Sequence, residues 1–380
     1  MYPLYRPYLS GKERQLVNEC LDSTWISSRG EFIGKFEQQF ADYVGVRHAT
    51  TVSNGTVALH LAMLAIGIGP GDEVIVPTLT YVASVNTIVQ TGATPVFVDS
   101  VESTWQADPS AIERAVTPRT KAVMVVHLYG ASCDMEAISR ICKERGLLLI
   151  EDCAEALGTL YRGRHVGTFG DVSTFSFFGN KTITTGEGGM VISNSADVHK
   201  KAYHLKTQAV SPTQEYWHDA VGYNYRMTNI CAAIGIAQLE QVDRILRKKR
   251  QIAGWYDQYL AGLPVKRQAE PAHSTHSWWL YSVLVSQELR DSLRQHLRRR
   301  SVETRPLFPL VHAFPHYDTG QQFPVAQAIS KSGFNLPSYP DLNEADIRII
   351  TSRVREFFEV TESVDVDCEV PASSKRYGVG

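Results

Sequence analysis

The chain has 380 residues, 43% of them hydrophobic and 21% charged, and a formal net charge of -2 with acidic and basic residues interspersed. That length supports a large core and points to two structural regions, while the balanced charge excludes a basic domain that grips nucleic acid through its phosphates. No stretch reaches the roughly 20 apolar residues that span a bilayer, and the six cysteines lack CxxC or CxxH spacing, which argues against zinc and for reduced thiols in the cytoplasm.

The N-terminal MYPLYRPYLSGKERQ lacks the apolar run of a signal peptide. From about residue 45 to 195 short apolar runs alternate with helical patterns. DEVIVPT (72–78), TPVFVD (94–99), KAVMVVH (121–127) and LLLIED (147–152) show no strict alternation, as expected of parallel strands covered on both faces. Between them ASVNTIVQTG, DPSAIERAV and DMEAISRICKERG carry helical spacing with Gly or Pro stops. The pattern predicts an α/β region with a mainly parallel sheet.

Within it, Ser53, Asn54, Gly55 and Thr56 open an amphipathic helix. Its free N–H groups and positive dipole end suit a phosphate; an ordinary cap is the simpler reading. Glu151, Asp152 and Glu155 follow at the carboxyl end of a buried strand, where ligands of open α/β sheets bind. Asp152 suits either a helix cap or a protonated ring nitrogen. Tyr81, just after the strand ending near Pro77, is either core or a flat ring that stacks on a cofactor. Lys181 comes after DVSTFSFFGN and before TITTGEGG. Burial against Phe175, Phe177 and Phe178 would favour its neutral, nucleophilic amine. A lysine, a buried aspartate and a phosphate-binding helix start, in that order, are the parts a pyridoxal 5′-phosphate (PLP) site needs.

Near residue 211 the chain turns polar and aromatic in SPTQEYWHDAVGYNYRM, an ordered loop holding Asn224 and Arg226. A single long helix is predicted from about Thr228 towards Leu260, with the basic run RKKRQ from Arg247 on its solvated face. Beyond residue 262 a strand in SWWLYSVLV and helices in ELRDSLRQHLRRR and NEADIRIITSRVREFFE read as α+β. Arg305 suits a diphosphate through its planar guanidinium, or a surface ion pair. His312, His316 and Tyr317 lie in a Pro- and aromatic-rich loop and read more simply as packing, with Tyr317 carried as a candidate sugar contact. The boundaries expected are an N-terminal arm over 1–30, a large region over 31–245, a C-terminal α+β region over 246–365 and a disordered tail over 366–380.

At SNGTVALHLA, GDEVIVPTLTYVASVNTI, EDCAEALGT, FSFFGNKTITTGEGGM and GYNYRMTNICAAIGIAQL the sequence resembles the PLP-dependent sugar-nucleotide aminotransferases of the DegT/StrS type, over nearly its whole length. The resemblance implies the type I, aspartate aminotransferase-like fold and a homodimer with shared active sites. It implies that Lys181 is the Schiff-base lysine and that Asp152 holds the pyridine nitrogen. Gly55, Thr56 and Ser176 would hold the phosphate, with Asn224 contributed by the neighbouring subunit, and Tyr81 would stack on the ring. Glu155 would lie near the ring hydroxyl and the sugar. An acidic residue there marks members that act on GDP-linked 4-keto-6-deoxy sugars with L-glutamate as amino donor. Lysine rather than histidine at 181 favours transamination over dehydration. The alternatives are a TDP- or UDP-linked ketosugar and, in another class, a non-catalytic regulator that binds a ligand with the same fold.

Overall fold

A computed structural model describes residues 1–366. Its large sheet has seven strands in the order His48–Val52, Gly189–Ser193, Val172–Ser176, Leu148–Asp152, Thr120–Val126, Glu73–Pro77, Thr94–Val98. Gly189–Ser193 is antiparallel to both neighbours and every other pairing is parallel. Six carboxyl ends therefore share one edge of the sheet.

Both faces are covered, which explains the missing alternation in the sequence. Val74, Val76, Ala122, Met124 and Ile150 point into one core, with the helix Gly55–Ile66. Ile75, Val123, Val125 and Leu149 point into the other, with Phe32, Phe36 and Phe40 of the helix Glu31–Val44 and with Asn229–Leu239. Gly55–Ile66 is buried almost all round, as a helix sandwiched between layers must be.

The predicted long helix is two, Asn229–Leu239 and Val242–Tyr259. No proline or glycine breaks it at 240–241; the packing does. The first segment lies against Lys12–Asp22 and Glu31–Val44, whereas the second lies against Glu344–Val366, and one straight rod cannot follow both. The basic run is not all solvated either. Ile245, Lys249, Ile252 and Tyr256 form the inward stripe of the second helix, so helical spacing carries Lys249 into the core.

A four-stranded antiparallel sheet in the order Lys266–Arg267, Tyr281–Leu284, Gly333–Leu336, Arg305–Pro306 builds a third core. It packs with Gln287–Arg299 and Glu344–Val366 around Tyr256, Tyr281, Leu293, Phe334 and Ile347. The strand predicted over 277–285 starts only at Tyr281, because Trp278 takes a positive φ of 54° and turns the chain. The N-terminal segment joins this region through a Tyr2–Val302 bridge and a 3.0 Å bond from the Leu4 N–H to Glu303. The expected tail falls on residues outside the described ones, except that Val366 closes the last helix.

Candidate active site

The shared carboxyl edge opens into a cavity of about 520 Å³ lined by Gly55, Thr56, Tyr81, Asp152, Glu155, Ser176, Lys181 and Arg305, among others. Parallel topology brings them together, since Val52, Pro77, Val126, Asp152 and Ser176 all end strands at this edge. The size suits a small-molecule site.

Asp152 ends its strand 5% exposed, its Oδ2 accepting from the Ser84 hydroxyl at 2.8 Å and its Oδ1 from the Ala154 N–H at 3.0 Å. Burial pushes its pKa above the ordinary carboxylate value, against the pull of those donors and of Lys181. Its neighbour Glu151 points the opposite way. Glu151 accepts from the N–H groups of Gly167, Phe169 and Gly170 at 2.6–2.8 Å and meets His127 Nε2 at 3.0 Å. His127 Nδ1 in turn accepts from the Cys133 N–H at 3.1 Å. His127, Glu151 and Cys153 sit within ligand distance of one another, yet these bonds occupy the carboxylate and both imidazole nitrogens. The knot is a brace that fixes the strand end carrying Asp152.

Lys181 lies on the segment between Ser176 and Gly189, its side chain 14% exposed and its Nζ 3.8 Å from Glu155 Oε1. Burial lowers its pKa, opposed by the charges of Glu155 and Asp152. Glu155, 4% exposed, accepts the Tyr129 N–H at 2.8 Å, and burial pushes its pKa up to about 7. Of the three phenylalanines the sequence placed against Lys181, only Phe178 lines the cavity, and it is half exposed. Phe175 and Phe177 pack into the core against Phe36 and Phe40, because residues two apart on a strand share a face. The amine sits instead 4.0 Å from the centre of the Trp279 ring, a cation–π distance. Trp279 Nε1 donates to the Asn180 carbonyl at 2.7 Å, and the Tyr5 hydroxyl donates to the carbonyl of Lys181 itself.

At the other end, the Asn54 side chain caps the helix by accepting the Val57 N–H at 3.0 Å. The capping reading and the anion reading coexist, since a helix start offers several N–H groups. A Cβ at Gly55 would come 2.7 Å from the Ser176 Cβ, and one at Gly189 would come 2.6 Å from the Asn54 carbonyl. Glycine at both positions lets three backbone segments meet as a shallow cradle. Tyr81 precedes the helix Val82–Gln90, 58% exposed, its ring 5.6 Å from Phe308.

Two candidates lie outside the cavity lining. The Tyr317 hydroxyl donates to Asn86 Oδ1 at 2.7 Å, and Asn224 is exposed, accepting from Arg226 Nε at 3.0 Å. Arg305 fits both of its readings: it lines the cavity, and its Nη2 lies 3.6 Å from Glu303 at the surface.

Residues 7–355 match the family model for DegT/DnrJ/EryC1/StrS aminotransferases. The chain belongs to that family. The aminotransferase is 55% identical to a GDP-perosamine synthase of Escherichia coli O157:H7 over 94% of this chain and 98% of the relative. It is 53% identical to one of Vibrio cholerae over 94% of this chain and 99% of the relative. Among solved structures it resembles S. venezuelae DesV in complex with a ketimine intermediate, at TM-score 0.87 and 35% identity, over 92% of this chain and 95% of that one. The cofactor is pyridoxal phosphate.

The aminotransferase has residues that fit this group. Asp152 is a buried carboxylate held above its ordinary pKa, which a ring N–H cation would relieve. The Gly55–Ser176 cradle sits at a helix N-terminus, suited to a phosphate, and Lys181 supplies an amine displaced toward neutrality. Sequence reasoning missed Ser84, Tyr129, Glu187, Trp279 and Phe308, which line or brace the cavity. The only available signal was the WW pair at 278–279, which reads as strand. Among the described residues no helix is long and apolar enough to cross a membrane.

Proposed function

We propose that this chain transfers the amino group of L-glutamate to C4 of GDP-4-dehydro-6-deoxy-D-mannose, giving GDP-perosamine and 2-oxoglutarate. The carrying observation is that a depressed lysine, a buried aspartate and an acid with a pKa of about 7 line one cavity. The sugar half of the reading is supported by the relatives at 55% and 53% identity.

When bound, pyridoxal phosphate supplies an aldehyde that accepts the amino group and a pyridinium ring that draws electrons from the carbon losing its proton. Lys181 would hold the aldehyde, and, once the amine of glutamate has displaced it there, its free neutral amine would take the proton from the α-carbon of glutamate. Asp152 keeps the ring nitrogen protonated. Gly55, Thr56 and Ser176 hold the phosphate and Tyr81 covers the ring. Glu155, fixed by the Tyr129 N–H, exchanges a proton with Lys181 near neutral pH and borders the sugar. Trp279 covers the amine: excluding water favours its neutral, nucleophilic form, while the ring face favours the ammonium, and burial is the larger effect in the lowered pKa. Arg305 faces the diphosphate. Two half-reactions on one cofactor predict ping-pong kinetics.

The test is a mass-spectrometric product assay with PLP, L-glutamate and parallel GDP-, TDP- and UDP-linked 4-keto-6-deoxy sugars. An amino sugar from the GDP-mannose derivative alone is expected. Product only from a TDP or UDP sugar would replace the substrate. No amino sugar, together with a cofactor spectrum unmoved by glutamate, would favour a ligand-binding regulator.

A further inference from the structure

Three of the contacts that fix Lys181 converge on one residue outside the cavity. Lys249 is 1% exposed on the helix Val242–Tyr259. Its Nζ donates to the carbonyl of Trp279 at 3.0 Å and to that of Ser338 at 3.1 Å, and it lies 5.5 Å from the centre of the Tyr5 ring. Trp279 places its ring 4.0 Å from the Lys181 amine and bonds the Asn180 carbonyl. Tyr5 donates to the Lys181 carbonyl.

We propose that Lys249 is a positioning residue for Lys181. Its two hydrogen bonds clamp the chain entering the strand Tyr281–Leu284 to the chain leaving Gly333–Leu336. That clamp fixes the Trp279 backbone at a point where the positive φ of Trp278 has just turned it, so the indole stays against the amine. Among the described residues no carboxylate pairs with this amine, and its burial costs free energy that two carbonyl hydrogen bonds offset only in part. Burial is what pushes the Lys249 pKa down, to about 7. The titratable group against it is Tyr5 from the N-terminal segment, with Lys181 beyond the indole. The charges that act on Lys181 are those of Glu155 and Asp152, so Lys249 works through geometry rather than through its own field.

The inference rests on Lys181 being the amine that holds the cofactor, and its test reads Lys181 without cofactor. In cofactor-free protein, brief acetic anhydride labelling across a pH series, followed by peptide mass spectrometry, gives the titration midpoint of Lys181. Lys249→Met is expected to raise that midpoint by about one unit towards the free-lysine value of about 10.4, because water reaching a loosened site outweighs the lost contact between the amine and the indole face. In loaded enzyme it is expected to lower kcat about tenfold, with KM for the amino donor within about twofold. Tyr256→Phe is the control. It removes a 2.7 Å bond from the same helix to the Pro337 carbonyl, next to Ser338, and does not touch Trp279. A Lys181 midpoint in Lys249→Met equal to that of Tyr256→Phe would overturn the proposal, even if kcat fell. Lys249→Gln, with a neutral donor on a stem one atom shorter, is expected to move the midpoint less and in the same direction. It carries the test alone should Lys249→Met fail to fold, and no movement would then overturn the proposal. Failure of the underlying reading looks different, as a Lys181→Ala enzyme that still turns over.

Discussion

Glu155 and Lys181 face each other across 3.8 Å, with pKa values displaced toward one another by the same burial. The acid's folded value of about 7 lies above its ordinary 4.5, so its contribution to stability is fully present below pH 4.5 and lost as pH rises through 7. Glu155→Gln removes that dependence. In cofactor-free protein the stability of the variant relative to the parent is expected to grow by on the order of 2 kcal/mol between pH 5 and 8. Denaturant midpoints at the two pH values check it, and a constant difference would count against the raised acid. At this scale Lys181, Asp152 and the SNGT turn were legible, because each sits in a local pattern of strand end, turn or glycine. Tyr129 and Trp279 were not. Trp279 reaches the cavity just after Trp278 at a φ of 54°, and Tyr129, itself at 59°, offers Glu155 its backbone N–H; groups placed by such turns have no periodic signature.

Among elements, the sharpest constraint is where Asn229–Leu239 crosses Glu31–Val44. A Cβ at Gly235 would come 2.6 Å from Phe36 Cζ, and Phe36 is fully buried. Two effects oppose in Gly235→Ala. Helix propensity gains about 1 kcal/mol, while overpacking against an immobile ring costs about 1–3 kcal/mol. Net destabilisation is expected, read as a lowered thermal midpoint, and Gly235→Ala with Phe36→Leu is expected to recover part of it. A stabilised single variant would show that the ring yields. Sequence periodicity located four of the seven strands of the large sheet, those whose buried apolar runs end at clear turns. It failed at 240–241, where the partners of the helix change but its composition does not. It failed again at Lys249, where a lysine stands in a stripe that spacing alone marks as core.

For the molecule as a whole, the sheet's parallel order was readable from alternating runs, whereas its reversed strand was not. The loop of Asn224 carries exposed Tyr216, Trp217 and Val221, at 97%, 54% and 83%, three large apolar side chains on one segment that a second surface would cover. We infer that it packs on a second copy and delivers Asn224 to that copy's cavity. Mixing inactive Lys181→Ala subunits with inactive Asn224→Ala subunits is expected to recover up to about a quarter of the parent activity, because half of the chains enter mixed dimers and one of the two sites in each is intact. No recovery in demonstrated heterodimers would overturn shared sites. The reversed strand Gly189–Ser193 has a wider meaning. With Val172–Ser176 leaving the sheet and Gly189–Ser193 re-entering it at the same edge, the segment bearing Lys181 is a cassette clipped in at both ends. Its contents can be rewritten without re-threading any strand, so a lineage built on this scaffold is free to explore new chemistries at one residue while inheriting its architecture unchanged.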